Sequence, residues 1–254
     1  MDYPRIDAYA SLNSPIHSFD PRAKIITFLV LIFSFAFLGS ISAAASAVAF
    51  SLFLILLSRL PLDFVFSRIK VPMGFIVSIL VIMAFTVGGE DLFSIFGLHV
   101  SYEGVRLGTL IVLRATASLL LALLMLGTSR FEAILKALYM LRVPGILVQM
   151  LMFTYRYIFV FIDEFGNMKN AMDSKGFQLK GNSRHALSIL GNAVGMLLVK
   201  SYERGDRVYS SMVARGYTGN PMILTKFKMK GSDYLLSGVL LSVAVLFHIF
   251  PVIL

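Results

Sequence analysis

At 254 residues, with 57% hydrophobic and only 15% charged residues, the chain is too apolar for a soluble domain, which carries roughly a quarter charged residues; its mean hydropathy is +0.82. Its net charge of +9 is therefore read as cations sorted to the cytoplasmic side of a membrane rather than as a nucleic-acid surface. With no cysteine, a disulfide framework, a thiolate metal site and a thiol nucleophile are all excluded.

Taken in chain order, residues 1 to 24 are polar and end in His17-Ser18-Phe19-Asp20-Pro21-Arg22-Ala23-Lys24. Asp20 is placed to cap a helix that has Pro21 at its first position, where a missing N–H costs nothing. Arg22 and Lys24 then flank the inner side of the membrane. From Ile25 to Ser58 there is no charge. That stretch exceeds one span of ~20 residues, and Gly39-Ser40 divides it into two rather short spans, about 25–38 and 41–57. The small residues Ser42-Ala43-Ala44-Ala45 resemble a signal cleavage site, but the apolar run continues past them to Leu57, and cleavage is not expected. Arg59, Arg68 and Lys70, against a single Asp63, mark a cytoplasmic loop punctuated by Pro61 and Pro72. A third span follows from Val71 to Val87. The next loop, Gly88 to Glu103, carries Glu90, Asp91 and Glu103 without Lys or Arg, as an external loop does; its portion 93–100 reads as a short hairpin or a re-entrant piece. The fourth span, 105–127, has Arg114 midway. A charge at that depth costs at least ~2.5–3.5 kcal/mol and belongs to an interior contact; its partner is not legible.

The segment Asp163 to Ser232 holds 11 Lys or Arg against 5 Asp or Glu, with Lys226, Lys228 and Lys230 beside the last span. Positive-inside sorting places it in the cytoplasm. The apolar piece 146–162, interrupted by Gln149, Thr154 and Arg156, is then not a span but a helix buried among others or lying at the interface. The last span is Tyr234 to Leu254. The expectation is an all-α integral membrane protein of about five transmembrane helices with a cytoplasmic or interfacial domain of amphipathic helices, divided as 1–128 (four spans), 129–232 and 233–254 (the final span). Within the middle part, Phe131, Ile134, Leu135, Leu138 and Leu141 give one helix ending near Pro144. A second runs from about Gly145 to Ser174 and a third from about Ser183 to Ala214.

Both of the longer helices close on the same pattern. Ala171-Met172-Asp173-Ser174-Lys175-Gly176-Phe177 is matched by Ser211-Met212-Val213-Ala214-Arg215-Gly216-Tyr217. A cation followed by Gly is also an ordinary helix terminator, and a basic helix is also a lipid-binding surface. Two ends matched at the Met, cation, Gly and aromatic positions point instead to two equivalent contacts with a two-fold or duplicated partner.

Three stretches carry a family resemblance: Phe153-Thr154-Tyr155-Arg156-Tyr157-Ile158-Phe159-Val160 with Asp163-Glu164; Leu198-Val199-Lys200-Ser201-Tyr202-Glu203-Arg204-Gly205 leading into Met212 to Tyr217; and Ser14-Pro15-Ile16-His17 with Asp20 to Lys24. They resemble the transmembrane T component of energy-coupling factor (ECF) transporters, nearest the cobalt-type CbiQ branch, over almost the whole chain. The resemblance implies two coupling helices whose Ala-Arg-Gly ends insert into grooves of two cytoplasmic ABC ATPase subunits. It further implies that ATP-driven motion passes to a separate membrane substrate-binding component. Ala214-Arg215-Gly216 matches that signature in full. Ser174-Lys175-Gly176 departs from it, since Lys keeps the charge but loses the bidentate fork of Arg, so the first contact is weaker or made with a different acceptor. The implied setting is a prokaryotic inner membrane with the N-terminus in the cytoplasm, and cobalt or nickel as cargo, the alternative being a vitamin or another substrate.

No phosphate-loop motif is present, and His17, His99, His185 and His248 are scattered without ligand spacing, so neither ATP hydrolysis, nor a metal site, nor any cofactor is expected of this chain. The rival is a membrane-embedded enzyme, which needs clustered carboxylates or a nucleophile–base pair. The adjacent acids Glu90-Asp91 and Asp163-Glu164 have no His beside them.

Overall fold

The computed structural model describes residues 9–10, 12, 14–89, 91–95, 98–176, 183–219 and 227–253. Eight helices and one hairpin follow in order among them: α1 (Pro21–Ala36), α2 (Ile41–Ser58), α3 (Leu62–Thr86), β1 (Asp91–Ile95), β2 (Leu98–Ser101), α4 (Tyr102–Gly127), α5 (Phe131–Met140), α6 (Gly145–Ser174), α7 (Ser183–Ala214) and α8 (Gly231–Ile253). The described residues are all-α apart from the antiparallel pair β1–β2, the hairpin of the two forms expected within 93–100. The described residues divide into two units, the first within 6–137 and 226–254 and the second within 138–225.

In the first of these units the local signals act as anticipated at the N-terminus. Pro21 opens α1, and Asp20 accepts a hydrogen bond from the Arg22 backbone N–H at 2.9 Å while pairing with the Arg22 guanidinium at 3.2 Å. The uncharged stretch breaks at Gly39-Ser40 into α1 and α2, Ser40 capping α2 by accepting from the Ala43 N–H. One apolar core joins α1, α2, α3, α4 and α8 through Phe28, Leu31, Phe35, Ala47, Ile55, Val65, Leu121, Leu124 and Leu240. Phe35, Phe50 and Phe247 close it with edge-on and tilted ring contacts at 5.2–6.3 Å. Hydroxyls bridge the helices: Ser51 donates to the Ala117 carbonyl at 3.3 Å and Ser118 to the Ile32 carbonyl at 3.4 Å, as small polar residues do where lipid offers no partner.

Helices α3 and α4 approach closely at Gly104 and Gly108. A Cβ on Gly104 would lie 2.4 Å from the Met83 carbonyl oxygen, and one on Gly108 3.1 Å from Leu80. Their Gly-x-x-x-Gly spacing is a known signature of helices packed backbone to backbone in membranes.

The helix starts and spans differ in part from the sequence expectation. The third helix begins at Leu62, not Val71, and continues through Pro72. Val65 and Ile69, one turn apart on one face, are buried, and their packing outweighs the backbone hydrogen bond that Pro72 removes. Among the described residues five helices are long and apolar enough to cross a membrane, α2, α3, α4, α6 and α8; the number is the expected one, with α6 in the set in place of the shorter α1. Helix α1, at 16 residues, is about 24 Å long, so as the short first span it crosses the ~30 Å hydrocarbon core only with the bilayer thinned around it. Helix α6, at 30 residues with a window of mean hydropathy 1.7, qualifies.

Candidate functional site

The matched helix ends are built alike. At the first, Lys175 follows the last helical residue and its N–H donates to the Met172 carbonyl at 3.0 Å, while Gly176 donates to Asp173 at 3.0 Å. At the second, Arg215 donates to Met212 at 3.0 Å and Gly216 to Val213 at 2.9 Å, and the Tyr217 N–H reaches back to Met212 at 3.0 Å. The second end thus completes the six-to-one, five-to-two pattern of a glycine-terminated helix. Gly176 and Gly216 have φ of +80° and +84°, and a Cβ at either would meet nothing within 4 Å. Glycine is therefore required there by backbone conformation and not by crowding. The turn leaves Ser174, Lys175, Gly176, Ala214, Arg215 and Gly216 exposed, and among the described residues neither cation has a carboxylate within ion-pair distance. Phe177, the aromatic of the first copy, lies outside the described residues, as do Glu90, Lys180 and Lys226.

Helices α6 and α7 run antiparallel. Glu164 pairs with Lys200, and Gln149, near the start of α6, meets the end of α7, where its Nε2 donates to Met212 Sδ at 3.8 Å and its Oε1 accepts from the Tyr217 hydroxyl. Arg215 therefore sits by the start of α6, whereas Lys175 sits at its far end. The 25 residues from Gln149 to Ser174, at about 1.5 Å each, separate the two cation-bearing ends by about 38 Å. Beside the Arg215 end, Ile146, Gln149, Met150, Phe153, Tyr209, Met212 and Tyr217 line a groove of about 570 Å³. The aromatic run of α6 forms ladders at four-residue steps, Phe153–Tyr157 and Tyr157–Phe161 at 6.3 Å and Tyr155–Phe159 at 5.6 Å. Both helices expose large apolar side chains, Met150, Leu187, Met196, Leu198 and Tyr202 among them. Such a surface belongs against another protein or a membrane.

Sequence similarity completes this picture. The family described as cobalt transport protein, CbiQ, matches residues 12–224. The chain belongs to the CbiQ family. It is 27% identical over 239 residues to the energy-coupling factor transporter transmembrane protein EcfT of Streptococcus equi, covering 90% of this chain and 88% of that one. A second EcfT, from Streptococcus thermophilus, is 29% identical over 231 residues, 87% of each chain. A fused cobalt transport protein CbiMQ of Methanocorpusculum labreanum is 29% identical over 144 residues, 55% of this chain and 24% of its own length. This CbiQ-family chain is thus a multi-pass membrane subunit of a transport system.

Arg114 belongs to the other unit. It lies on the stripe of α4 that carries the buried Leu110, Ala117, Leu121 and Leu124, with its Nε sealed from solvent and no hydrogen-bond partner for that atom among the described residues. Two features are not legible in the sequence. The Gln149–Tyr217 contact depends on an antiparallel pairing that no local pattern encodes. Lys24, expected at the membrane flank, is only 2% exposed; its Nζ donates to Ser129 Oγ at 2.8 Å, the Thr128 carbonyl at 3.2 Å and Thr128 Oγ1 at 3.3 Å.

Proposed function

We propose that this chain is the T component of an ECF-type importer in a prokaryotic inner membrane, a non-catalytic scaffold with its N-terminus in the cytoplasm. Two cytoplasmic ABC ATPase subunits dock on its two helix ends, Ala214-Arg215-Gly216 and Ser174-Lys175-Gly176. Helices α6 and α7 carry their motion to a membrane substrate-binding component. The observation that supports this reading is the pair of ends: two helices that close alike, each presenting an exposed cation without a carboxylate partner among the described residues, about 38 Å apart on an antiparallel pair. A lone helix terminator has no need of a second copy in that position. Cobalt is the proposed cargo, following the family's description, with nickel as the alternative ion.

The test is affinity purification of the tagged chain from its native membrane beside a Lys175→Glu, Arg215→Glu double variant. ATPase subunits are expected with the wild type and not with the variant. Each reversed charge removes a charge-assisted contact of ~1.5–3 kcal/mol and adds repulsion. Arg215→Glu alone is expected to release more ATPase than Lys175→Glu, because the guanidinium makes paired hydrogen bonds and the ammonium does not. A double variant that keeps its ATPases and its transport would overturn the assignment.

A further inference from the structure

The start of α3, the end of α4 and the start of α5 border a half-open cavity of about 210 Å³ whose lining includes Phe64, Arg68, Leu123, Leu126, Ser129 and Phe131. Its walls are apolar. Its two polar groups are both hydrogen-bond donors. The Arg68 guanidinium stands 5.5 Å from the centre of the Phe64 ring, and no carboxylate pairs with it among the described residues. Ser129 Oγ already accepts from Lys24 Nζ at 2.8 Å, so its own O–H is left to donate.

Lys24 supplies the second, independent observation. It is an ammonium buried behind the cavity wall, held by two hydroxyls and a carbonyl, with no acidic partner among the described residues. Its three N–H donors are taken, so its charge acts on the cavity through space, where a buried cation without a counter-charge favours a nearby anion. The cavity lies at the end of the helices that carries Arg22, Lys24, Arg59, Arg68, Lys70 and Arg130 against Asp20, Asp63 and Glu132, and Asp20 is taken by Arg22. Leu126 on its rim is 49% exposed, as a lipid-facing residue is.

We infer that this cavity binds an anionic phospholipid. The headgroup phosphate sits between the Arg68 guanidinium and the Ser129 hydroxyl, and the acyl chain lies along Leu123, Leu126 and Phe131. Basic pockets between spans take anionic headgroups for the same electrostatic reason. The inference rests on the chain being a membrane protein and not on its ATPase partners.

The experiment is native mass spectrometry of the purified full chain, released from micelles containing phosphatidylglycerol and phosphatidylcholine with matched acyl chains. Wild type is expected to retain phosphatidylglycerol in about tenfold preference, the value of one charge-assisted contact. Arg68→Gln brings the preference to parity. Lys70→Gln, which removes a cation at the same end but outside the cavity, leaves it unchanged. Gly127→Leu, placed to extend towards Leu60 and Phe64, lowers retention of both lipids. Equal losses in Arg68→Gln and Lys70→Gln would reduce the effect to diffuse surface attraction and overturn the site. Displacement of the lipid by excess inorganic phosphate would make free phosphate the ligand and overturn the lipid assignment.

Discussion

Gly216 occupies a position where φ is +84°, a conformation that costs a residue with a Cβ about 1–2 kcal/mol. Gly216→Val is expected to loosen the last turn of α7, read as faster amide exchange at Met212 to Tyr217, and, if the proposed docking is made there, to weaken it without altering charge. Gly195 is the opposite case, a glycine in the middle of α7 where an added Cβ would meet nothing within 4 Å; Gly195→Ala should slow exchange along the helix, by up to about 1 kcal/mol of added stability. His17 makes a pH-dependent contact outside the helices. Its Nε2 donates to the Tyr9 carbonyl at 3.0 Å, and in the neutral ring Nδ1 accepts from the Ser14 hydroxyl at 2.8 Å. Desolvation holds its pKa below the usual 6.5; the bond to Tyr9 opposes this, and the Lys24 charge adds to it. Because the folded value is the lower one, the unfolded state takes up the proton first, and stability is lost as pH falls below about 6.5. Proteolysis of the segment around residues 9–20 should therefore be faster at about pH 5.5 than at about pH 7.5, either side of the ordinary histidine value, and His17→Gln should abolish the difference. The helix-ending glycines and the cations beside them are legible in the sequence because capping is a local property of a few consecutive residues. The role of His17 is not, since it depends on a contact with Tyr9 eight positions away.

Helices α3 and α4 are joined backbone to backbone, and that contact tolerates no side chain at Gly104. Gly104→Leu is expected to lower the thermal unfolding midpoint of the detergent-solubilised chain, with a cost of about 1–3 kcal/mol or more from overpacking. Gly39→Leu, whose Cβ would meet nothing, should leave the midpoint nearly unchanged. Element identity is largely readable from sequence: the expected boundaries of α6 and α7 match the structure, because cap residues and apolar periodicity act within one or two turns. The start of α3 is hidden because Pro61, Asp63, Arg68 and Lys70 carry the local signals of a loop. The burial of Val65 and Ile69 that makes this stretch helical comes from other helices.

The membrane placement of α6 is decided at the scale of the whole molecule. Helix α6 is apolar and long enough to cross a bilayer, while the proposed function, following charge sorting, puts the basic segment after it on the cytoplasmic side. The chain has no cysteine, so single introduced cysteines report sidedness without background. Ser67→Cys and Ser210→Cys are expected to react with an impermeant thiol reagent only from the cytoplasmic face, and Gly88→Cys only from outside. Labelling of Ser210→Cys from outside would make α6 a span and overturn the placement of the two helix ends. Composition, charge runs and the repeated helix ends determined by themselves that this is a helical membrane subunit with two matched cationic termini. These follow from hydropathy and from capping, both of which are local. Only the tertiary structure decided that Lys24 is buried, that Gly104 and Gly108 form a helix contact, and that Arg215 and Lys175 lie at opposite ends of an antiparallel pair. Each of these depends on groups distant in sequence, whose pairing is set by the packing of whole helices and not by any short pattern within them.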